Sequence, residues 1–295
     1  MFRTLVVVAA LALPLAPQAA PQLFHGHGHG LSFSVEGKAL LAPSEAGLAI
    51  YLDGTWQEPS DVEGSFSGFA VTGRGLYASG ASEPGGRPRG LIRSSDGGRS
   101  WQALALAGEA DFPILAAGYH SNALYVFNAV KNPAMPSPGI YATQNEGKSW
   151  RRTGARNLKG QIHGLAAHPR NAAIIAAATE RGLYLSDDAG ESFRRLDGRQ
   201  PATAVAFNAD GTRVRYALAL AGELMESALD GRQRRAMRLP RLERDYVTCL
   251  AQNPQDAKVV AFATRRRDVY LSADGGASWR RIAAAEELEI EEQGE

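Results

Sequence analysis

The segment Ser94–Trp101, SSDGGRSW, decides the fold because its pattern returns three more times along the chain. The other copies are TQNEGKSW (Thr143–Trp150), SDDAGESF (Ser186–Phe193) and SADGGASW (Ser272–Trp279). Together they define an octet, Ser/Thr-x-Asp/Asn-x-Gly-x-Ser-Trp/Phe, and a strand-like phrase such as RGLYLS precedes each copy. The chain is therefore a series of internal repeats.

The spacing of the repeats predicts the architecture. Two weaker copies surround Asp53 and Asp230, and the six equivalent positions are 43, 49, 43, 42 and 44 residues apart. Units of this length, with alternating apolar residues and turn signals, predict an all-β, six-bladed β-propeller of four-stranded antiparallel blades. Each unit begins with an inner strand and ends with an outer one, so we expect no strand to cross over and close the ring.

The two ends of the chain differ from the repeats. Residues 1–20 have an early Arg3 and a short apolar run, which predicts a secretory signal peptide. The propeller is expected over residues 23–285 and an acidic tail over 286–295. With one cysteine, Cys249, no internal disulfide is possible. We expect an exported protein, periplasmic or extracellular, that is a monomer.

Charge and hydropathy exclude two classes of partner. The chain has 32 basic and 31 acidic residues, and neither sign forms a dominating block. This balance does not favour nucleic-acid binding, which depends on a basic surface that displaces counterions. After the signal peptide, no apolar segment is long enough for a membrane span.

The octets are expected to be structural turns. Their Asp or Asn accepts backbone N–H bonds, Gly supplies a positive-φ position, and the aromatic residue packs beneath the turn. The alternative, a catalytic or calcium-binding set of carboxylates, requires acids roughly 5–10 Å apart, whereas the repeat distributes them over different blades. The structural set is Ser94, Asp96, Gly98, Trp101, Asn145, Gly147, Trp150, Asp188, Gly190, Phe193, Asp274, Gly276 and Trp279.

These octets resemble the Asp-box, or BNR repeat, of sialidases, sortilin-type receptors and many exported bacterial propellers. The second unit and the phrase IHGLAAHP are similar to an uncharacterised group of exported bacterial propellers often labelled glycosylhydrolase or sialidase-like. In that group H-x-H-G tends to open the first blade, as His27, His29 and Gly30 would. The group's Gly-His-Pro of the second blade is replaced here by Gly80, Ala81 and Ser82, which departs from the pattern.

Sialidase activity is disfavoured. Sialidases resemble one another in an Arg-Ile-Pro near the first blade, an arginine triad and a Tyr–Glu pair. This chain has no Arg-Ile-Pro, and its first blade has no arginine between Arg3 and Arg74.

The histidines are the candidate metal ligands. In an extended strand His25, His27 and His29 would project on one side, roughly 6.6 Å apart per pair. Aligning the first and fourth units places His29 on His163, and those blades lie opposite each other in a six-membered ring. Imidazoles suit zinc or copper(II), so these four histidines form a candidate metal or ligand site at one mouth of the axial channel. The alternative is that they are structural or incidental.

The remaining units place small or uncharged residues at the same position, namely Ser67, Pro113, Thr203 and Thr248. Acids expected near that mouth, and therefore weak catalytic candidates, are Asp61, Glu63, Asp111 and Asp245. His120 and His168 are expected on the surface, and Cys249 is expected to be buried and inert.

Three functions follow. The first is a binding protein for a metal ion, a small ligand or a glycan at the channel mouth. The second is a glycoside hydrolase that uses the acids just named. The third is a scaffold or assembly factor for a protein partner, which would show an exposed apolar patch.

Overall fold

In the computed structural model, residues 30–44, 47–57, 64–82, 85–220 and 222–284 are described. They form six four-stranded antiparallel sheets, and in each sheet the strands follow one another in chain order. The six-bladed β-propeller expected from the repeats is confirmed, and the described residues include no helix that could span a membrane.

The first three blades contain residues 32–152. Blade 1 contains β1 (Ser32–Phe33), β2 (Leu40–Ser44), β3 (Gly47–Leu52) and β4 (Thr55–Gln57). Blade 2 contains β5 (Ser65–Thr72), β6 (Gly75–Ala81), β7 (Leu91–Ser94) and β8 (Gln102–Ala105). Blade 3 contains β9 (Ile114–Ala117), β10 (Leu124–Asn128), β11 (Gly139–Thr143) and β12 (Arg151–Arg152).

The last three blades contain residues 162–283. Blade 4 contains β13 (Ile162–Ala167), β14 (Ile175–Thr179), β15 (Gly182–Ser186) and β16 (Arg194–Asp197). Blade 5 contains β17 (Ala202–Phe207), β18 (Arg213–Leu218), β19 (Glu223–Ala228) and β20 (Arg235–Met237). Blade 6 contains β21 (Val247–Gln252), β22 (Val260–Thr264), β23 (Val269–Ser272) and β24 (Arg280–Ala283).

The core lies between the blades. The described residues form six buried apolar clusters, and each cluster joins two neighbouring blades. One of them packs Phe33 and Leu40 of blade 1 against Val269 and Ile282 of blade 6, which closes the ring. A propeller of this kind is stable because each sheet buries both faces against its neighbours.

The octet turns share one hydrogen-bond pattern. In blade 2 the Ser94 hydroxyl donates to Asp96 (2.7 Å) and accepts from the amide of Gly98 (2.8 Å). Asp96 also accepts from the Ser100 amide (3.0 Å) and hydroxyl (2.6 Å). Gly98 has φ +95°, which an L side chain rarely adopts. The pattern recurs at Asp188 and Asp274, and blade 3 uses the Asn145 amide instead.

Antiparallel pairing gives the propeller two faces. The upper face carries the connections between blades and the turn between the second and third strand of each blade. The lower face carries the other turns, including all four octets. Every inner strand therefore starts at the upper face, with His163 among the first residues of β13.

Candidate functional site: the upper mouth of the axial channel

The inner strands enclose an axial channel. The central residues of the six inner strands, together with lower-face residues such as Tyr119, Pro169 and Asn208, line a cavity of about 180 Å³ that does not include the upper-mouth residues Ser67, His163, Thr203 and Thr248. Most of the side chains are apolar, including Leu31, Phe69, Leu115, Leu165 and Val205. Pockets for small organic ligands are usually 300–1,000 Å³, so the channel itself has room for ions or water rather than for a sugar or a metabolite.

A repeated bulge shapes the upper mouth. The pairing of β13 with β14 shifts between Ile162 and Gly164, which leaves His163 unpaired in the ladder. Equivalent shifts displace Ser67 in β5, Thr203 in β17 and Thr248 in β21. A bulge re-aims the side chain of the extra residue. The four residues aligned by the sequence repeats therefore share one backbone irregularity at the start of their inner strands.

Two of these side chains bond to the next blade. Nδ1 of His163 lies 3.1 Å from the carbonyl oxygen of Ala202, the residue before Thr203. The Thr203 hydroxyl donates to the carbonyl of Val247, the residue before Thr248, at 2.6 Å. The bulges thus connect the inner strands of blades 4, 5 and 6 around the mouth.

The contact of His163 fixes the roles of its two ring nitrogens. A carbonyl oxygen only accepts hydrogen bonds, so Nδ1 carries the proton and donates it to Ala202. In the neutral imidazole, Nε2 then keeps its lone pair, and the His163 side chain is exposed. This tautomer, held by a backbone carbonyl, is the one common in histidines that bind metals through Nε2.

The other candidate ligands are not described by the structure. His25, His27 and His29 lie outside the described residues, as do the predicted signal peptide and the acidic tail. Within the described ranges, no group of three or more His, Cys, Asp or Glu residues could hold a metal ion. Pro113 directly precedes β9 and is exposed, which agrees with its predicted equivalence to the bulge residues.

Two of the four candidate acids hold loops in place. Asp111 accepts from the hydroxyls of Ser67 and Ser79, while Ser79 accepts from the amide of Phe112 at 2.9 Å. The Asp111 carboxylate thereby joins blade 2 to the connection that leads into blade 3.

Asp245 has a similar role near blade 6. It accepts from the amide of Tyr246 at 2.8 Å and from that of Arg266 at 3.2 Å. The remaining two acids, Asp61 and Glu63, lie outside the described residues.

The octet carboxylates are separate from the mouth. They lie on the lower face and make their hydrogen bonds within their own turns. Hydrogen bonds from the Ser192 hydroxyl and amide lower the pKa of Asp188 to about 2, and those from Ser278 lower the pKa of Asp274 to about 2. These carboxylates are therefore ionised turn acceptors.

The other histidines and the cysteine lie elsewhere. His120 is exposed on the lower face, but His168 is buried, so the prediction that it lies on the surface is wrong. Its Nδ1 accepts from the amides of Arg170 (3.1 Å) and Asn171 (3.0 Å), and burial lowers its pKa. Cys249 packs against the cluster between blades 1 and 6, and burial raises the pKa of its thiol to about 11, which keeps it protonated.

An arginine-rich surface is the feature that sequence analysis missed. Arg241 and Arg244 lie in the connection before β21, and Arg265, Arg266 and Arg267 form the turn between β22 and β23. We call these five residues the arginine surface. The run RRR, Arg265 to Arg267, was a visible signal in the sequence. The position of the connection before β21 next to this run, however, depends on the packing of blade 6.

Comparison with known proteins establishes the fold. No protein-family model matches the chain, and no curated protein matches it. A GH74 enzyme of Niastella koreensis superposes with a TM-score of 0.59 at 14% identity, covering 87% of this chain and 45% of the enzyme. This chain therefore spans a little under half the length of that enzyme.

Two other structures are similar over most of both chains. A chain of the nidogen/laminin complex gives a TM-score of 0.61 at 11% identity, covering 83% of this chain and 93% of that one. YCF48 from Cyanidioschyzon merolae gives 0.54 at 17% identity, covering 90% and 88%. At these identities the likeness concerns the propeller fold and does not extend to a shared ligand.

Proposed function

We propose that this protein is an exported, non-catalytic binding propeller whose ligand contacts the upper mouth of the axial channel. One observation carries the proposal: His163 is exposed and donates through Nδ1 to Ala202, while its Nε2 has no hydrogen-bond partner within the described ranges. The first candidate ligand is a divalent metal ion, zinc or copper(II), and a small anionic or sugar-like molecule is the alternative.

The metal ion needs further ligands. His29 is the equivalent residue in the opposite blade by sequence alignment, and His25 and His27 precede it by four and two residues. These histidines are the proposed partners of His163.

Binding is favoured over glycoside hydrolysis by the roles of Asp111 and Asp245. Each is committed to hydrogen bonds that hold a loop, whereas hydrolysis requires an acid and a second carboxylate that face one cleft. The hydrogen-bonded octet turns support placing the chain among the exported Asp-box propellers. The apolar run after Arg3 supports export, and sequencing the N-terminus of the secreted protein tests it.

Metal analysis of the untagged, exported protein tests the binding proposal. We expect a stoichiometric ion in the native chain, its loss in His163→Ala, and its retention in His120→Ala, a matched change of an exposed histidine on the lower face. A native protein that contains no metal and takes up neither added zinc nor added copper would exclude the metal ligand.

A second candidate function, protein binding, is favoured by two exposed apolar side chains. Val130 is 71% exposed and Leu220 is 80% exposed, and both lie on upper-face turns, in blades 3 and 5. The Val130 loop is anchored by the fully buried Met135. If the upper face binds a protein, the double variant Val130→Ser/Leu220→Ser should no longer capture that protein from a periplasmic extract. Unchanged capture by the double variant would contradict this candidate function.

A further inference from the structure

The two loops of the arginine surface form one unit. The amide of Arg265 donates to the carbonyl of Tyr246 at 3.0 Å, and the amide of Arg266 donates to the Asp245 carboxylate. Between the loops lies an open depression of about 640 Å³, lined by Arg241, Leu242, Glu243, Arg244 and Arg266. The backbone contacts therefore hold the guanidinium groups of two separate loops around one concave surface.

The charges of this surface are largely uncompensated. Among the described residues, the guanidinium groups of Arg244, Arg266 and Arg267 form no ion pair and no hydrogen bond. Arg241 approaches Glu243 at 3.7 Å, with both side chains more than three-quarters exposed, and such pairs contribute little. Arg265 lies over the ring of Tyr246, which leaves its N–H groups free to bind an anion.

The backbone of both loops is strained. Arg244 has φ +52° and Arg267 has φ +76°, in the left-handed region that L residues other than Asn and Asp rarely adopt. Backbone strain of this kind is common at sites that bind a ligand. Arg244 itself lines the depression, and Arg267 directly follows Arg266, which also lines it.

An acidic segment follows the strand next to this surface. Ala283, at the end of β24, pairs with Val269, which is two residues beyond Arg267. The chain therefore leaves its last strand on the upper face, beside the arginine turn. Residues 286–292, EELEIEE, contain five glutamates and no basic residue. A segment of that length spans about 20 Å when extended, enough to cross the depression.

We propose that the acidic segment 286–292 docks on the arginine surface of its own molecule. In an extended conformation Glu287, Glu289 and Glu291 share one side, and Leu288 and Ile290 share the other. The glutamates would pair with the guanidinium groups, with which carboxylates form charge-assisted and often bidentate bonds. This site is separate from the His163 site, and the inference does not rest on metal binding.

The attachment of the acidic segment at the end of β24 favours this segment, rather than an external partner, as the ligand of the arginine surface. A short tether gives an effective concentration in the millimolar range, so even a weak site is occupied within one molecule. The consequence is regulatory: an external acidic segment would bind only by displacing residues 286–292.

A peptide-binding measurement on the full-length protein tests the inference. The neutral-tail variant replaces Glu286, Glu287, Glu289, Glu291 and Glu292 by Gln, and the probe is a fluorescein-labelled peptide AAEELEIEEQ. We expect the neutral-tail protein to bind the probe, and the native protein to bind it at least about tenfold more weakly, because the attached segment competes.

Charge reversal then locates the site. In the neutral-tail protein, Arg244→Glu/Arg266→Glu should abolish binding, and the milder Arg266→Ser should weaken it. The matched control, Lys148→Glu/Arg170→Glu, changes two exposed basic residues of the lower face and should leave binding unchanged. Melting temperatures of all variants confirm that they are folded.

Three results would overturn the inference. Equal binding by native and neutral-tail protein would show that the attached segment does not occupy the surface. No binding by either protein would show that the surface does not accept acidic segments. Concentration-dependent self-association of the native protein, lost in the neutral-tail variant, would place the segment on a second copy instead.

Discussion

The indole Nε1 of Trp56 donates a hydrogen bond to the carbonyl oxygen of Ile282, 2.9 Å away and 226 residues further along the chain. Trp56 lies in the outer strand of blade 1, and Ile282 lies in the outer strand of blade 6. Because the described residues exchange no strand between these blades, the ring closes through side-chain contacts such as this one and through the apolar cluster beneath.

Trp56→Phe should therefore weaken the closure. We expect a loss of about 1 kcal/mol of unfolding free energy from the missing hydrogen bond, beyond the loss from reduced packing. The matched control is Trp101→Phe, because the buried Trp101 Nε1 has no hydrogen-bond partner among the described residues. Denaturant titration compares the two variants, and equal losses would contradict the closing role of Trp56.

The octet turns predict an asymmetry between two substitutions of Asp188. Asp188→Asn should cost less than Asp188→Ala, because Asn145 makes the equivalent bonds in blade 3, including 3.0 Å from the Ser149 amide. Asp188→Ala should cost about 1 kcal/mol, since the amide and hydroxyl of Ser192 lose their acceptor. Comparable destabilisation by both changes, measured by denaturant titration, would show that the turn requires the charge.

The same carboxylates predict the acid sensitivity of the fold. Folding lowers the pKa of Asp188 and of Asp274 to about 2, chiefly through serine hydroxyl bonds, and lowers that of Asp96 as well. An unfolded aspartate titrates near 3.9, so this stabilisation is complete above about pH 4 and disappears as the pH falls through about 2. The melting temperature should fall over that interval.

Replacing Asp96, Asp188 and Asp274 together by Asn should flatten this dependence. A residual slope should persist, because folding also lowers the pKa of other carboxyls, such as Glu226. A triple variant whose melting temperature follows pH as steeply as the native protein would contradict the assignment.

Blade 5 lacks a full octet and contains a buried ionic network instead. Glu226 is 2% exposed at its side chain, and it accepts from Arg215 at 2.9 Å and from Arg235 at 2.8 Å. Glu226→Ala should cost about 3–5 kcal/mol, because the buried Arg215 loses its counter-charge. Glu243→Ala, which removes an exposed pair, should cost less than about 1 kcal/mol. Chemical denaturation distinguishes them, and similar costs would argue against the network.

Much of the fold could be predicted because the repeat is periodic in sequence. Aligning the units correctly grouped Ser67, His163, Thr203 and Thr248, since equivalent residues of equivalent strands occupy equivalent positions. The bulge at these residues could not be predicted, because a single unpaired residue gives no recognisable signal in the alternating apolar pattern of a strand.

Contacts between blades were harder to predict from the sequence than the fold. His168 was expected on the surface, but its ring packs against Phe207 of blade 5, which is distant in sequence. Asp111 was proposed as a catalytic acid, and its bonds to Ser67 and Ser79 come from other strands. The arginine surface depends on the approach of two loops of different length. Such contacts follow from three-dimensional packing and have no local sequence signal.

Nitrogen NMR of protein labelled at histidine tests the central claim most directly. The account predicts that neutral His163 carries its proton on Nδ1, and that added zinc shifts its Nε2 resonance while the His120 resonances stay unchanged. His163→Ala should remove the responding resonance and weaken zinc binding at least about tenfold. A proton on Nε2 of neutral His163 would contradict a metal site at the upper mouth. So would a His163 resonance that does not shift when zinc or copper(II) is added.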